Sequence, residues 1–293
     1  MTFRRFQFIM LILSFLAMGA SAFAVGFYGL RPGIDFTGGS ILEVEYEVSR
    51  PSTEEIQESL KDLDLGSLSV QHTGENGVLL RMKDISESTH QQVLSALSQD
   101  VKELRFESIG PVIGKELSEK TLLLVVLAIA AVILYIAFAF RRTAESIRPW
   151  HWSGAAMLAS FHDILVPLGV FAFLGEYADF QITIPVVVAL LTVVGYSIND
   201  KVVVFDRIRE HIFKHIGFDF RDTVKLALLQ TWFRSFSTSL TTIAVLLSIY
   251  LFGGSTLKDF SLMLMIGIAA GTFSSLFLAP PLLILFKEKG LKS

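Results

Sequence analysis

Val194-Gly-Tyr-Ser-Ile-Asn-Asp-Lys-Val-Val-Val-Phe205 places Asn199, Asp200 and Lys201 inside an apolar run that begins at Ile182. From Ile182 to Phe205 the run is long enough to cross a bilayer, which takes about 20 mainly apolar residues. A carboxylate at the centre of a membrane costs roughly 2.5–3.5 kcal/mol or more, so Asp200 is by default a functional group. The next apolar run supplies a candidate partner at its start, Arg234. The continuation Val202-Val-Val-Phe205 argues against a simple helix end, where the chain would turn polar.

Five more apolar blocks surround this one: Phe6–Tyr28, Leu122–Phe140, Gly154–Leu174, Phe236–Phe252 and the longer Phe260–Phe286. The 293 residues are 52% hydrophobic with a mean hydropathy of +0.56, too apolar for a soluble domain of this size. The fold class is therefore a polytopic α-helical membrane protein with six transmembrane helices. The first block is longer than the core of a signal peptide and has no clear Ala-x-Ala-like end, so it reads as a retained anchor. The net charge of −3 suggests no nucleic-acid partner. The absence of cysteine excludes disulfides, thiolate catalysis and cysteine metal sites.

Basic residues set an orientation. They precede the first span (Arg4, Arg5), separate the second from the third (Arg141, Arg142, Arg148) and crowd the connection between the fourth and fifth (Lys201 to Arg234). Lys287, Lys289 and Lys292 close the chain, whereas the alternate connections 175–181 and 253–259 hold only Lys258. This predicts cytoplasmic termini (residues 1–30 with the first span), an external domain over 31–120, and a five-helix membrane domain over 121–293.

The external segment reads β-α-β-β-α-β, a ferredoxin-like α+β domain. Apolar and acidic residues alternate along Leu42-Glu-Val-Glu-Tyr-Glu-Val48, as in a half-buried strand with an acidic outer face. Ser52-Thr-Glu-Glu55 has capping-box spacing before Ile56, Leu60 and Leu63. Strands over 68–72 and 78–82 flank a hairpin turn, a second helix holds Val93, Leu94 and Leu97, and a last strand spans Glu103–Ile109. His72 and His90 stand apart in the sequence and read as solvated surface residues, and no metal site is expected. Two glycine-bearing segments, Arg31–Ser40 and Ile109–Leu117, read as loops joining the domain to the membrane, with Asp35 a possible anchor of the first.

At helical rise, Asp200 lies roughly 25 Å along the fourth span from Thr183, and Arg234, if the fifth span begins near Phe233, lies at a comparable depth. Two alternatives stand for this region: an Asp200–Arg234 contact, or charges that mark helix ends with Arg234 snorkelling to the surface. His162-Asp163 sits near the middle of the third span, either as a polar pathway in which His162 relays a proton or as a hydrogen-bonded clasp between helices. The hydroxyl-rich stretch Ser235–Thr242 suits interhelical hydrogen bonding or a hydrated path. Gly267, Gly271 and Ser275 form a small-residue packing face.

Gly33-Ile-Asp-Phe-Thr-Gly-Gly39, Gly110-Pro-Val-Ile-Gly-Lys-Glu-Leu117, His162-Asp163 and Val194–Glu210 together resemble the SecF side of the SecD/SecF family of bacterial protein-export membrane proteins, in the resistance-nodulation-division superfamily. The resemblance runs from the first span to the last. Its motif residues here are Gly33, Asp35, Phe36, Gly38, Gly39, Gly110, Pro111, Gly114, Gly195, Asn199, Asp206 and Arg207. It implies a Sec translocase subunit that is not an enzyme and carries no cofactor. Such a subunit works with SecD, often with YajC, beside the SecYEG channel in the bacterial inner membrane, and draws a preprotein outward after ATP-driven insertion. Family behaviour assigns proton coupling to Asp200 and Arg234, with His162 and Asp163 as further members, and sodium stays open as an alternative coupling ion. Lys201 stands where relatives carry a small polar residue, and it either alters the titration of Asp200 or adds a charge toward the cytoplasmic side. Three rival readings are a small-molecule or lipid exporter of the same superfamily, an intramembrane hydrolase using Asp163 and Asp200, and a structural scaffold.

Overall fold

The structure, a computed structural model, describes residues 3–97, 100–139, 147–214 and 219–290; at 255–256 and 289–290 it describes the backbone alone. Arg141, Arg142 and Lys292, three of the charges used to orient the chain, lie outside the described residues. The chain divides into two compact units, Pro32–Leu123 and the set Met1–Arg31 with Leu124–Ser293.

In the smaller unit a short helix α2 (Ile34–Thr37) precedes β1 (Gly39–Tyr46), α3 (Thr53–Leu60), β2 (Ser69–Thr73), β3 (Gly77–Met82), α4 (Glu87–Leu97) and β4 (Val101–Ile109). The strands form one antiparallel sheet in the order β2-β3-β1-β4, the ferredoxin-like arrangement. Alternation along β1 does what its period requires. Leu42, Val44 and Tyr46 enter the core with Ile56, Leu60, Leu80 and Val93, while Glu45 is exposed. The other sheet face is partly covered as well, because Ile34 of α2 packs with Ile41, Leu79 and Ile109. The capping box forms: Ser52 Oγ accepts from Glu55 N at 3.3 Å, and Ser52 N donates to Glu55 Oε2 at 2.8 Å.

His90 departs from the expectation of a solvated surface residue. It is buried on α4, stacked on the Phe106 ring at 3.8 Å, with Nδ1 3.4 Å from Glu87 and Nε2 3.3 Å from Glu103. Helical spacing turns it onto the face that also carries Val93 and Leu97. His72 is exposed, as expected.

Both glycine segments also differ from simple loops. The second is helical from Pro111, because proline at the first helical position loses no hydrogen bond. The first folds into α2 and then turns at Gly38 and Gly39, with φ of 74° and 134°. A Cβ on Gly38 would lie 2.8 Å from Pro111 Cα, and one on Gly114 would lie 2.7 Å from Gly38 N. The two motifs are therefore halves of one close backbone contact, which explains glycine at both places.

Six helical segments of the larger unit are long and apolar enough to cross a membrane: α1 (Phe3–Tyr28), α5 (Pro111–Ala139, which begins in the smaller unit), α6 (Pro149–Ala178), α7 (Ile184–Lys214), α8 (Phe220–Phe252) and the pair α9 (Ser255–Phe277) and α10 (Ala279–Gly290). Helix α8 starts thirteen residues before Phe233, so Arg234 lies well inside a helix rather than at its start. The last span breaks at Leu278 because Pro280 and Pro281 lack the N–H groups that would bond the carbonyls of Leu276 and Phe277. At the other end of the unit, Arg31 ties α1 to the end of α6 through Glu176 at 2.7 Å and Asp179 at 3.3 Å.

Two apolar clusters hold the bundle. One gathers Phe171, Val186, Ala189, Val193, Leu246 and Met263. The other gathers Trp152, Val204, Phe205, Ile208, Val224 and Leu282. The buried stripe of α7 runs through both, with Val186, Ala189 and Val193 at one end and Val204 and Ile208 at the other. Between them the stripe carries three buried polar residues, Ser197, Asp200 and Lys201, beside Val194 and Ile198.

Candidate functional site

The polar middle of the bundle is built by four helices. Close approach of α7 and α9 makes it possible. A Cβ on Gly267 would lie 2.2 Å from Val193 Cγ2, and one on Gly271 would lie 2.9 Å from Ser197 Cβ. The small-residue face of α9 thus packs on α7 as its spacing predicts. It brings Ser274 and Ser275 to the level of Ser197 and Lys201.

Asp163 of α6 is fully buried. Its Oδ2 accepts from Lys201 Nζ, Ser197 Oγ and, at 2.8 Å, Ser274 Oγ. Its Oδ1 lies 3.0 Å from His162 Nδ1. Lys201 is 1% exposed and also donates to Ser197 Oγ one helical turn away. An ammonium and a carboxylate removed from water need such geometry and further donors to offset the cost of desolvation. Here three helices supply them.

Asp200 faces a different neighbour. Adjacent residues on a helix point about 100° apart. While Lys201 turns toward α6, Asp200 turns toward α8, where Ser235 Oγ donates to its Oδ1 at 2.5 Å. Asp200 is 9% exposed, and its Oδ2 has no hydrogen-bond partner among the described residues. Beside it, Ser239 and Thr272 join α8 to α9 at 2.5 Å.

The structure brings His162, Asp163 and Lys201 together, and Asp200 adjoins Lys201 on α7. The expected Asp200–Arg234 ion pair is not formed in this conformation. Arg234 is exposed and makes no ion pair within 4.0 Å among the described residues. Its neighbour Ser235 takes the inward position instead. Of the two readings of Lys201, a surface charge toward the cytoplasmic side does not hold, because it is the buried cation of the site. Neither it nor Asp200 marks a helix end, because α7 runs thirteen residues beyond Lys201 to Lys214. Gly195 and Asn199 are exposed on α7, and nothing among the described residues lies within 4 Å of a Cβ built on Gly195. Asp206 is exposed, and Arg207 pairs with Glu210 at 2.6 Å along the same helix. Gly33 caps α2, while Asp35 and Phe36 lie within it. Gly110 precedes α5, 3.7 Å from Asp84 Oδ2 for a built Cβ. Among the described residues no three His, Asp or Glu side chains group to hold a metal ion.

Sequence reasoning missed Ser197 and Ser274 as ligands of Asp163, and it placed Ser235 among interhelical hydrogen-bonding residues without naming Asp200 as its acceptor. The four-residue spacing of Ser197 and Lys201 was the available signal, since it puts both on one face. Nothing in the sequence pairs Ser274 with Asp163, 111 residues away.

The SecD/SecF C-terminal model of protein-export membrane proteins matches residues 89–289, and the SecD/SecF GG motif matches residues 23–49. The GG match contains the Gly38–Gly39 turn described above. The protein translocase subunit SecF of Thermobaculum terrenum is 36% identical over 97% of this chain and 93% of its own length. That of Anaerolinea thermophila is 37% identical over the same shares. The crystal structure of SecDF from Thermus thermophilus, a translocon-associated membrane protein, superposes with a TM-score of 0.85 at 29% identity, covering 98% of this chain and 39% of that one. A SecDF structure in a super-membrane-facing form gives a TM-score of 0.66 at 30% identity, over 99% of this chain and 38% of that one. The chain thus spans about two-fifths of each solved SecDF chain. With six apolar helices, a four-stranded antiparallel domain whose glycine turn packs on the start of α5, and these matches along nearly its whole length, the chain belongs to the SecD/SecF family of protein-export membrane proteins.

Proposed function

We propose that this chain is a SecF-type subunit of a Sec translocase and couples ion movement across the membrane to preprotein export. The observation that carries the coupling is the unequal satisfaction of two neighbouring buried carboxylates. Asp163 has protein donors on both oxygens, one of them an ammonium. On Asp200, Ser235 Oγ donates to Oδ1, and Oδ2 has no hydrogen-bond partner among the described residues. A proton arriving at that oxygen removes a charge from the apolar interior and leaves Lys201 balanced by Asp163 alone. Release restores the second carboxylate beside Lys201. The two states favour different packings of α7 against α8, and about 2.3 kcal/mol per charge per 100 mV of membrane potential is available to drive the exchange.

In this reading, which the asymmetry of basic residues supports, both termini are cytoplasmic and the ferredoxin-like unit lies outside the inner membrane, where it acts on the emerging chain. Asn199 and Arg234 support a polar protein partner. Both are exposed on membrane-spanning helices, and such groups are costly against lipid. SecD, named in the solved relatives' SecDF chains, is the partner we assign, with Arg234 acting on Asp200 when the helices move. SecYEG and YajC complete the assembly that the family relationship suggests. Proton is the coupling ion of this reading. The hydrolase alternative loses support because Asp163 is fully engaged by protein donors.

Proton flux into liposomes holding this chain with its SecD partner tests the proposal. Asp200→Asn keeps the shape and the Ser235 hydrogen bond but cannot titrate. It should abolish flux and gradient-dependent export while the complex still assembles. Normal flux through an assembled Asp200→Asn complex rules the mechanism out, and flux that follows sodium instead of pH reassigns the ion.

A further inference from the structure

At the end of the bundle that carries both described termini, α1, α8 and the α9–α10 break enclose an apolar hollow of about 310 Å³. Phe6, Met10, Leu228, Leu229, Trp232 and Phe277 line it. A second, wider hollow of about 910 Å³ adjoins it along α1 and α10, and both are lined by Gln7 and Pro281.

Two features set this hollow apart from an ordinary groove filled by bulk lipid. Gln7 is 6% exposed, and its amide nitrogen has no hydrogen-bond partner among the described residues. A buried amide donor without an acceptor is costly, so a ligand oxygen at that point has a ready use. Lys225 lines this hollow, and Arg4 and Arg5 line the adjoining one that shares Gln7; all three are exposed and free of ion pairs within 4.0 Å among the described residues. Arg221 also lines the wider hollow but is paired with Glu288 at 2.5 Å. The lining therefore has a surplus of positive charge next to an apolar slot.

We infer that this hollow is a binding site for one anionic phospholipid. An acyl chain lies in the apolar slot beside Trp232. The phosphodiester sits among Arg4, Arg5 and Lys225, and an ester or phosphate oxygen accepts from Gln7 Nε2. Basic clusters flanking membrane helices attract acidic lipid headgroups by the same electrostatics, and the slot adds shape. A zwitterionic lipid fills the slot equally well but gains less from the three cations.

The test uses the full chain in nanodiscs of phosphatidylcholine doped with a small fraction of phosphatidylglycerol or phosphatidylcholine brominated on the acyl chains. Bromine quenches nearby tryptophan, and Trp232→Phe isolates the share of the signal that comes from Trp232. Brominated phosphatidylglycerol should quench Trp232 several-fold more than equimolar brominated phosphatidylcholine. The triple variant Arg4→Gln, Arg5→Gln, Lys225→Gln, which changes only exposed side chains, should remove that preference and leave the general quenching. Equal quenching by the two lipids overturns the site, as does a preference that survives the triple substitution. Failure of this experiment leaves proton flux untouched, so it is distinguishable from failure of the coupling mechanism.

Discussion

Lys201 and Asp163, 38 residues apart on α7 and α6, form a buried ion pair in which neither side chain is more than 1% exposed. Breaking such a pair from one side leaves an uncompensated charge, at a cost of about 3–5 kcal/mol. Lys201→Met alone and Asp163→Asn alone should each lower the thermal stability of the purified protein markedly. The double variant should be more stable than the sum of the two losses predicts, because it leaves no orphaned charge. Additive losses in unfolding temperature would show that the two groups do not act as a pair.

The contact between Gly38 and Gly114 sets a second expectation. Gly38 has φ of 74°, and both glycines lie under 3.0 Å from backbone atoms where a Cβ would sit. Gly38→Ala adds backbone strain of roughly 1–3 kcal/mol, at φ 74° and ψ 163°, to a clash that backbone cannot relieve cheaply. Gly114→Ala meets the clash without the strain. Both should loosen α2 and the start of α5, with Gly38→Ala the worse. Faster amide exchange at Gly38 and its neighbours reports the effect, while Gly195→Ala, whose Cβ meets nothing within 4 Å among the described residues, should leave exchange there unchanged.

The smaller unit should lose a little stability in acid. The Gln91 amide donates to Glu87 at 2.8 Å and the His90 ring lies 3.4 Å from it, so its carboxyl is held below the usual carboxylate range, Gln91 having the larger effect. A lowered folded value stabilises above the unfolded one, near about 4.3, and that contribution fades as pH falls through the folded value. Glu87 is exposed, so the effect is small. Amide exchange of α4, followed in the full chain from neutral to acidic pH, should show that dependence, and Glu87→Gln should flatten it. An unchanged profile in Glu87→Gln would remove Glu87 from the account.

Orientation is open to a direct chemical check. Ser88 is exposed on α4, and the chain has no cysteine of its own. Ser88→Cys should react with a membrane-impermeant maleimide in intact spheroplasts if the ferredoxin-like unit is external. Labelling that requires permeabilised membranes would reverse the assigned topology.

Local sequence determined the elements of this protein. Six apolar runs, the alternation of β1, the Ser52–Glu55 capping box and the small residues at 267 and 271 each depend on periods of two to four residues, so they are legible without knowledge of the fold. The partners of the buried charges were settled only by tertiary structure. Asp200 and Lys201 are consecutive in an apolar run, and nothing local says which one meets which helix. The turn of α7 sends Lys201 toward Asp163 and Asp200 toward Ser235. The turn of α8 likewise puts Ser235 inside and Arg234 outside. A one-residue step on a helix rotates a side chain by about 100°, and the packing of α6, α8 and α9 around α7 decides what it then finds.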